Sequence, residues 1–598
     1  EDCDFLYYGS IMDKEYIYRD IPENIDKYPE FNIYGTCPAY GLYFRHIEGL
    51  TLRNVNVSVK HTDIRPGIVF EDATDINTSK VNVQRFPFTE PAPIWNKSET
   101  SNQSPVAQTY TLTCNDHQIP VMQQNDVPMS YNLNSYQYAQ LVYEGTPMNI
   151  SVNVKGYHVL ENDWEISPKS RNIQGKLENN TLRFTINEPG YFVIRFAKNQ
   201  DFTKRLVLLV DKPYKIPDGE MIDITKKYHV DNTGNKNETV RIQKALNDIS
   251  GKNATLYFPQ GIYSTSMLRI HSDSKIHFEK GAILLASTES LEPYLDMDGG
   301  GSNRFIYIRD AKNIHITGLG GFDGNGTYFR AVKYPNGSDG KEAMRLLFIV
   351  NSRNITFDGI LLKDASRWNT HIVGSSDISF RYCKMLNNPN TNAHLTNFDG
   401  WDPDASQRVL IENCFGWAGD DNIAIKCVGT GSPKVIKDVK DITIRNNVFL
   451  TKKSSLKIGT ETRCGSIKNI VFENNDVIES DRAMAIDVQD RAVINGVLFK
   501  NNRIEYNYPD AQKRGINVNL SKRDATQNHI GKILNVRFED CNFEQMFPNG
   551  FRLFRDPNFT TASDMDVTFI NVKVGDKLVT SVADTYFDDK TNSTIKFE

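Results

Sequence analysis

"RNITFDGI" (353–360), "SDISFRYC" (376–383) and "RVLIENC" (408–414) are three versions of one phrase. Each is a short run of β-branched and aromatic residues alternating with polar ones, as expected of a strand with one buried face. Each leads into a corner rich in Asn or Gly. The phrase opens at "KNIHITG" (312–318) and continues through "DITIRNNVF" (441–449), "NIVFENNDV" (469–477), "GVLFKNNRI" (496–504), "NVRFEDCNF" (535–543) and "DVTFINVKV" (566–574). Equivalent apolar positions lie 23 residues apart from Ile355 to Ile378, 31 from Ile378 to Val409 and 39 from Val497 to Val536. A strand-built repeat of this size cannot bury its apolar face alone, so neighbouring coils must stack into a solenoid. The expected fold is all-β: a right-handed parallel β-helix with corner Asn residues hydrogen-bonding from rung to rung. A propeller would repeat at ~40–45 residues with blade signatures that are missing. Antiparallel hairpins would need Asn-Gly turns at closer spacing.

The rest of the chain is arranged around this unit. "NETVRIQKALNDISG" (237–251) sets Val240, Ile242, Ala245, Leu246 and Ile249 on a helical stripe ending at Gly251, which reads as a cap for the solenoid. Residues 213–598 are expected to form the β-helix. Residues 110–212 alternate as strands ("YTLTC", "MNISVNV", "TLRFTI", "YFVIRFA", "RLVLLV"), which predicts a small β-sandwich before it. A Pro-, Ser- and Asn-rich linker occupies 86–109. Residues 1–85 again alternate like β-helix coils and read as the remnant of an upstream solenoid.

Composition narrows the function. The 598 residues carry a net charge of −5 without long charged runs, which argues against nucleic acid as a partner. No apolar stretch approaches the ~20 residues of a membrane span. The eight cysteines are dispersed, with no CxxC, so zinc is not expected. Cys3 with Cys37, or Cys414 with Cys427, could pair under oxidising conditions, and buried thiols are the alternative. The sequence begins at Glu1, so any targeting segment is missing or already removed. A secreted, periplasmic or cell-surface location is expected.

"FGWAGDDNIAIK" (415–426) places two acids side by side, Asp420 and Asp421, and Asp399 of "NFDGWDPD" (397–404) precedes Asp420 by 21 residues. That is about one coil, so the acids would sit on neighbouring rungs separated by ~4.8 Å. Converging carboxylates suit glycoside hydrolysis, in which one acid protonates the leaving oxygen and another carboxylate activates water or attacks the sugar. Close carboxylates also raise one another's pKa, which keeps one protonated near neutral pH. Solvated corners and calcium ligands remain the alternatives on spacing alone.

The run "NFDGWD…VLIENC…GDDNIAIK" resembles the signature of glycoside hydrolase family 28, the polygalacturonase-like enzymes. "GFDGNG" (321–326), "RLLFIVNSRNITFDGILLKDASRWNTHIV" (345–373) and the capping helix extend the resemblance across about 220–598. It implies an inverting hydrolase on a right-handed β-helix that needs no metal or cofactor and acts on a polysaccharide or oligosaccharide. By that resemblance Asp420 is the general acid, Asp399 and Asp421 position and deprotonate water, and Asp402 is structural.

This sequence departs from the family pattern beyond the acids. "LKIGTET" (456–462) has Thr460 where a His is expected. "AMAIDVQD" (483–490) has Ala485 and Asp487 where an Arg and a Lys would bind a galacturonate carboxylate. An acid there would repel an anionic sugar. Lys426, Lys457, Arg482, Arg491 and Arg514 are candidates to replace those contacts. Glu461 and Asp487 are further candidates for substrate binding, and Trp368, Trp401 and Trp417 could stack on sugar faces. Two substrates follow: a rhamnogalacturonan or side-branch pectic linkage, or a neutral α-glucan such as dextran or pullulan. The second rests on a layout reminiscent of the related family 49 enzymes, which also place a β-sandwich before the β-helix. A calcium-dependent polysaccharide lyase and a non-catalytic binding solenoid are the competing classes.

Overall fold

A computed structural model describes residues 2–9, 21, 35–61, 63, 65–84, 94–96, 110–123, 137–155, 159, 161, 163–196, 205–217, 219–290, 292–294, 303–326, 329, 344–387, 397–429, 434–508, 512–524, 526–527, 529–584 and 594–598. Most of the 86–109 linker read from the sequence lies outside them. From Glu220 onward the chain winds into a right-handed parallel β-helix with three sheets. The long sheet runs from Glu220–Asp223 to Thr594–Phe597. A second sheet runs from Gly261–Thr265 to Lys577–Leu578. The third, here the site sheet, runs from Leu268–Arg269 to Phe551–Arg555. Among the described residues every pairing inside these sheets is parallel except Lys573–Val574 with Lys577–Leu578 at the last corner. The helix Thr239–Ile249 turns buried Ile242, Ala245, Leu246 and Ile249 onto the first rungs, whereas Val240 points to solvent.

The repeating phrase of the sequence forms the long sheet. Ile355 pairs with Ile378 and Phe357 with Phe380, and the next rung brings Val409 and Ile411 into the same columns. Rings stack down the inside, with Phe472, Phe499 and Phe538 spaced 4.6 and 4.8 Å between centroids. At the corners Asn354, Asn413, Asn446, Asn474 and Asn501 take positive φ values between 49° and 57°. Asn tolerates this left-handed conformation because its short side chain can hydrogen-bond locally. A second, interior ladder satisfies buried corner groups. Asn447 Nδ2 donates to Asn475 Oδ1, and Asn475 Nδ2 to Asn502 Oδ1, each at 2.9 Å.

Residues Tyr110–Asp211 form two five-stranded sheets face to face around a core that includes Leu112, Ile150, Val152, Phe184 and Leu208. The outer face of one sheet docks on the second sheet of the solenoid. Tyr138, Tyr191, Val193, Val207 and Leu209 join Leu361, Leu386, Phe415, Trp417, Val448 and Leu450 in one apolar cluster. Buried ion pairs punctuate this contact: Lys384 Nζ with Asp211 Oδ1 and Arg205 Nη1 with Glu479 Oε2, both at 2.9 Å. The sandwich therefore braces the solenoid on a side away from the site sheet.

The first residues build a short stack of parallel strands. Cys3–Tyr7, Thr51–Val59 and Asn77–Val83 pair in one sheet, and Leu42–Glu48, Ile68–Thr74 and Ile94–Asn96 in another, around a cluster of their own. Cys414 neighbours Cys383 and Cys427 neighbours Cys464 across adjacent rungs. The Cys414–Cys427 pairing considered from the sequence does not form: both thiols are free, Cys414 facing Cys383 on the preceding coil and Cys427 facing Cys464 on the following one. No helix among the described residues is long and apolar enough to cross a membrane.

Candidate active site

Strand parity selects which side chains reach the surface of the site sheet. In Trp401–Asp404, alternation sends Trp401 into the core and leaves Asp402 and Asp404 on the outer face. One rung on, Ile423, Ile425 and Cys427 turn inward and Lys426 pairs in register with Asp404. The next rung buries Leu456 and Ile458 and turns Lys457 outward. Asp399, Asp420 and Asp421 stand in the corners just before these strands. The two corners are clamped together: Gly400 N donates to Asp421 O at 2.7 Å and Trp401 N to Asn422 O at 2.8 Å. A Cβ on Gly400 would lie 2.3 Å from Asn422 O, so the close approach requires glycine. Asn422 fixes the corner from inside by donating to Leu450 O at 2.9 Å.

The acids therefore converge, and each has a different environment. Lys426 Nζ lies 2.7 Å from Asp399 Oδ2 and 3.3 Å from Asp402 Oδ1. Lys457 Nζ lies 2.6 Å from Asp421 Oδ2, and Ser454 N donates to Asp421 Oδ1 at 2.9 Å. Arg482 Nη2 approaches the same carboxylate to 3.8 Å. Asp420 differs. It is partly exposed, has no cation within ion-pair distance among the described residues, and accepts backbone N–H groups from Asn397 at 3.1 Å and Asp421 at 2.9 Å.

Protonation follows from these contacts. Burial, with the neighbouring Asp399 and Asp421, pushes Asp420 up to about 7. Burial and Asp402 likewise push Asp399 up to about 7 against the pull of Lys426, and burial does the same to Asp402. Burial also works to raise Asp421, but the Lys457 ammonium and the Arg482 guanidinium outweigh it and hold that carboxyl far below the usual range. The site thus contains one acid held ionised, Asp421, beside three whose proton affinity is raised, and of these Asp420 alone has no lysine within ion-pair distance among the described residues. That is the division of labour acid–base chemistry on a glycosidic bond requires.

The other residues singled out in the sequence fall into place unevenly. Asp487 is buried on the outer face two rungs beyond Lys426, accepts from Asn517 Nδ2 at 3.2 Å and lies 3.8 Å from Arg482. Ala485 pairs with Lys457 on one side and Asn517 on the other. Glu461 is half-buried and 3.9 Å from Arg523. Arg514 donates to Asn549 O at 3.2 Å, and Arg491 to Arg463 O at 2.9 Å. Two expectations need correction. Trp401 is fully buried between Phe380 and Phe449, because its strand parity points inward. Trp417 lies on the second sheet, sealed under the sandwich with Arg205 4.9 Å over its ring. Neither can stack on a sugar. Trp368 does border the site, with Lys426 Nζ 3.9 Å from its ring centre.

Sequence reasoning passed over His371 and Arg345. His371 pairs in register with Asp402, and its Nε2 lies 3.0 Å from Asp404 Oδ2. Its Nδ1 accepts from Arg345 Nε at 2.8 Å. Burial and Arg345 push this imidazole down to about 4, so it is neutral and held in one tautomer. The available signal was positional: both residues lie within the quoted 345–373 stretch, and His371 sits one rung before Asp402.

Residues 250–546 match the family model described as glycosyl hydrolases family 28. The endo-polygalacturonase of Pectobacterium carotovorum subsp. carotovorum is 28% identical over 287 residues, covering 44% of this chain and 68% of that protein. Among solved structures, a polygalacturonase from Erwinia carotovora ssp. carotovora aligns with a TM-score of 0.50 at 19% identity, over 64% of this chain and 99% of its own. Dex49A from Penicillium minioluteum aligns with a TM-score of 0.53 at 13% identity, over 85% of this chain and 99% of its own. At such identities the two structures speak to the fold alone.

Proposed function

We propose that this chain, whose solenoid belongs to family 28 of the glycoside hydrolases, cleaves α-glycosidic bonds of a pectic polysaccharide with inversion of configuration. Asp420 is the general acid in this reading. The observation that carries it is the contrast within the cluster: Asp399 and Asp421 are each bound to a lysine, whereas Asp420 is partly exposed and has no cationic partner among the described residues. A carboxyl so placed holds a proton near pH 7 and offers it to a leaving oxygen at the surface. Asp421, kept ionised by Lys457, removes a proton from water, and Asp399 orients that water with it. Asp402 shares Lys426 with Asp399 and supports the cluster from below.

The finer substrate reading is a rhamnogalacturonan or side-branch linkage. Its support is the absence of cations at Ala485 and Asp487, which would make a uniformly acidic galacturonan a poor fit on that side. Secretion, or exposure at the cell surface, is the location consistent with a polysaccharide substrate. The testing experiment is a product screen of the purified chain on oligogalacturonate, rhamnogalacturonan, dextran and pullulan, with early products observed by proton NMR. Inverted anomers from a pectic substrate are expected. Retained configuration, or unsaturated products that vanish with chelator, would sink the assignment, and cleavage confined to glucans would replace the substrate.

A further inference from the structure

Two cationic side chains stand over Trp368, Arg367 precedes it in the chain, and neither arginine has an acid within ion-pair distance among the described residues. Lys426 lies over the ring and is committed to Asp399 and Asp402. Arg345, 7% exposed, stands 4.9 Å from the same ring and 5.2 Å from Phe348. Its Nε donates to the neutral His371, and its two terminal nitrogens have no hydrogen-bond partner among the described residues. Arg367 is half-buried, its Nε is sealed from solvent without an acceptor, and so is Nε1 of Trp368.

Buried donors without acceptors are costly, and native proteins seldom keep several together. A purely structural arginine at this place would fork onto a carboxylate. The nearby acids face other partners: Asp399 lies 2.7 Å and Asp402 3.3 Å from Lys426, although neither Asp402 oxygen is hydrogen-bonded, and Asp404 is held by His371 and by Val428 N at 2.9 Å. Burial, and then repulsion from Arg367, depress the basicity of the Arg345 guanidinium, as expected where two cations face one gap. His371, clamped between Asp404 and Arg345, fixes the direction of that guanidinium.

We propose that Arg345 and Arg367, flanking Trp368, form a subsite that binds the carboxylate of a uronate unit on the N-terminal side of the catalytic acids. The fit is chemical. A carboxylate presents two oxygens to the planar guanidinium fork, and a charged acceptor recovers more of the desolvation cost than a hydroxyl. On the C-terminal side, Ala485, Asp487, Asn517 and Asn519 hold the outer positions, Asp487 lies 3.8 Å from Arg482, and Arg552 follows Asn517 one rung on. The subsite deepens the pectic reading above and rests on it for the identity of the reacting bond.

The test is a calorimetric titration of the full chain made inactive by Asp420→Asn. One probe is an alternating galacturonate–rhamnose hexasaccharide, and the other is the same hexasaccharide with its carboxyls reduced to alcohols. The acidic probe is expected to bind more tightly. Adding Arg367→Gln, or separately Arg345→Lys, should weaken the acidic probe by about tenfold or more while leaving the reduced one within about twofold. Arg367→Gln changes a half-exposed side chain, so a lost fold cannot account for its effect. No binding of the acidic probe, no preference for it, or equal losses on both probes would overturn the subsite. Carboxylate-dependent binding by a chain that cleaves no pectic substrate would keep the subsite and overturn the catalytic reading instead.

Discussion

Lys457 Nζ stands 2.6 Å from Asp421 Oδ2, with both side chains buried on the outer face of the site sheet. A buried carboxylate so paired stays ionised, and removing its partner leaves a buried charge with only the more distant Arg482, at 3.8 Å, as an ion pair. Lys457→Met should raise the Asp421 pKa, so that Asp421 becomes protonated on the acid side where it must act as base. The expected outcome is a fall of about 100-fold in kcat/KM and an acidic limb of the pH profile displaced upward by about one unit. Lys457→Arg should restore part of both. An unchanged acidic limb would remove Asp421 from the role of base.

The raised pKa of Asp420 gives a prediction of opposite sign for stability. Its folded value of about 7 lies above the ordinary 3.8, so the folded state holds a proton that the unfolded chain has released. Stability from this group is fully present below about pH 4 and is lost as pH rises towards 7. Asp420→Asn removes that loss, so the variant should melt about 1–3 °C above wild type at pH 8 and no higher at pH 4. Activity should fall about 1000-fold at pH 4, and by about tenfold less at pH 8, where the wild-type acid has itself largely lost its proton. In the wild type the same titration predicts an alkaline limb near pH 7, measured on kcat/KM.

The interior Asn ladder can be tested on stability alone. Asn475 Oδ1 accepts from Asn447 N at 3.1 Å and from Asn447 Nδ2 at 2.9 Å, while its own Nδ2 serves Ile444 O and Asn502 Oδ1. Asn475→Ala strands donors on one rung and acceptors on the next, all fully buried. A loss of about 2–4 kcal/mol in chemical denaturation is expected. A change within about 0.5 kcal/mol would show that water replaces the amide without cost.

How legible was this in the sequence? The rungs were, because period-2 alternation and Asn corners are local properties that stacking preserves, and Ile355, Ile378 and Val409 do share one column. The acid cluster was legible too, since the 21 residues between Asp399 and Asp420 fall one short of the 22-residue turn that sets Trp401 beside Ile423. What parity alone could not settle was which wall a residue joins. Trp401 and Trp417 follow similar local patterns, yet one faces the core and the other meets the sandwich, and that docking is a tertiary event with no local signal. Arg345 and His371 carried only a positional signal for a related reason. Their partners lie on neighbouring coils and off the direct register, so only the stacking of the rungs brings Arg345, His371 and Asp404 into contact.

That distinction among the tryptophans makes the last prediction. Trp417 is sealed beneath Tyr191 and Arg205 at the sandwich contact, on a different sheet from the acids. Trp417→Ala should cost about 3–5 kcal/mol, as large-to-small changes in packed apolar sites do, while kcat/KM of the folded enzyme stays within about twofold. Trp368 borders the catalytic cations and is partly exposed, so Trp368→Ala should instead raise KM about tenfold with little change in melting temperature. The pair is read on one substrate at one pH, with denaturation followed by circular dichroism. If Trp417→Ala raised KM while Trp368→Ala left it alone, the groove would have to lie on the sandwich side of the solenoid, and the assignment of the site sheet would be wrong.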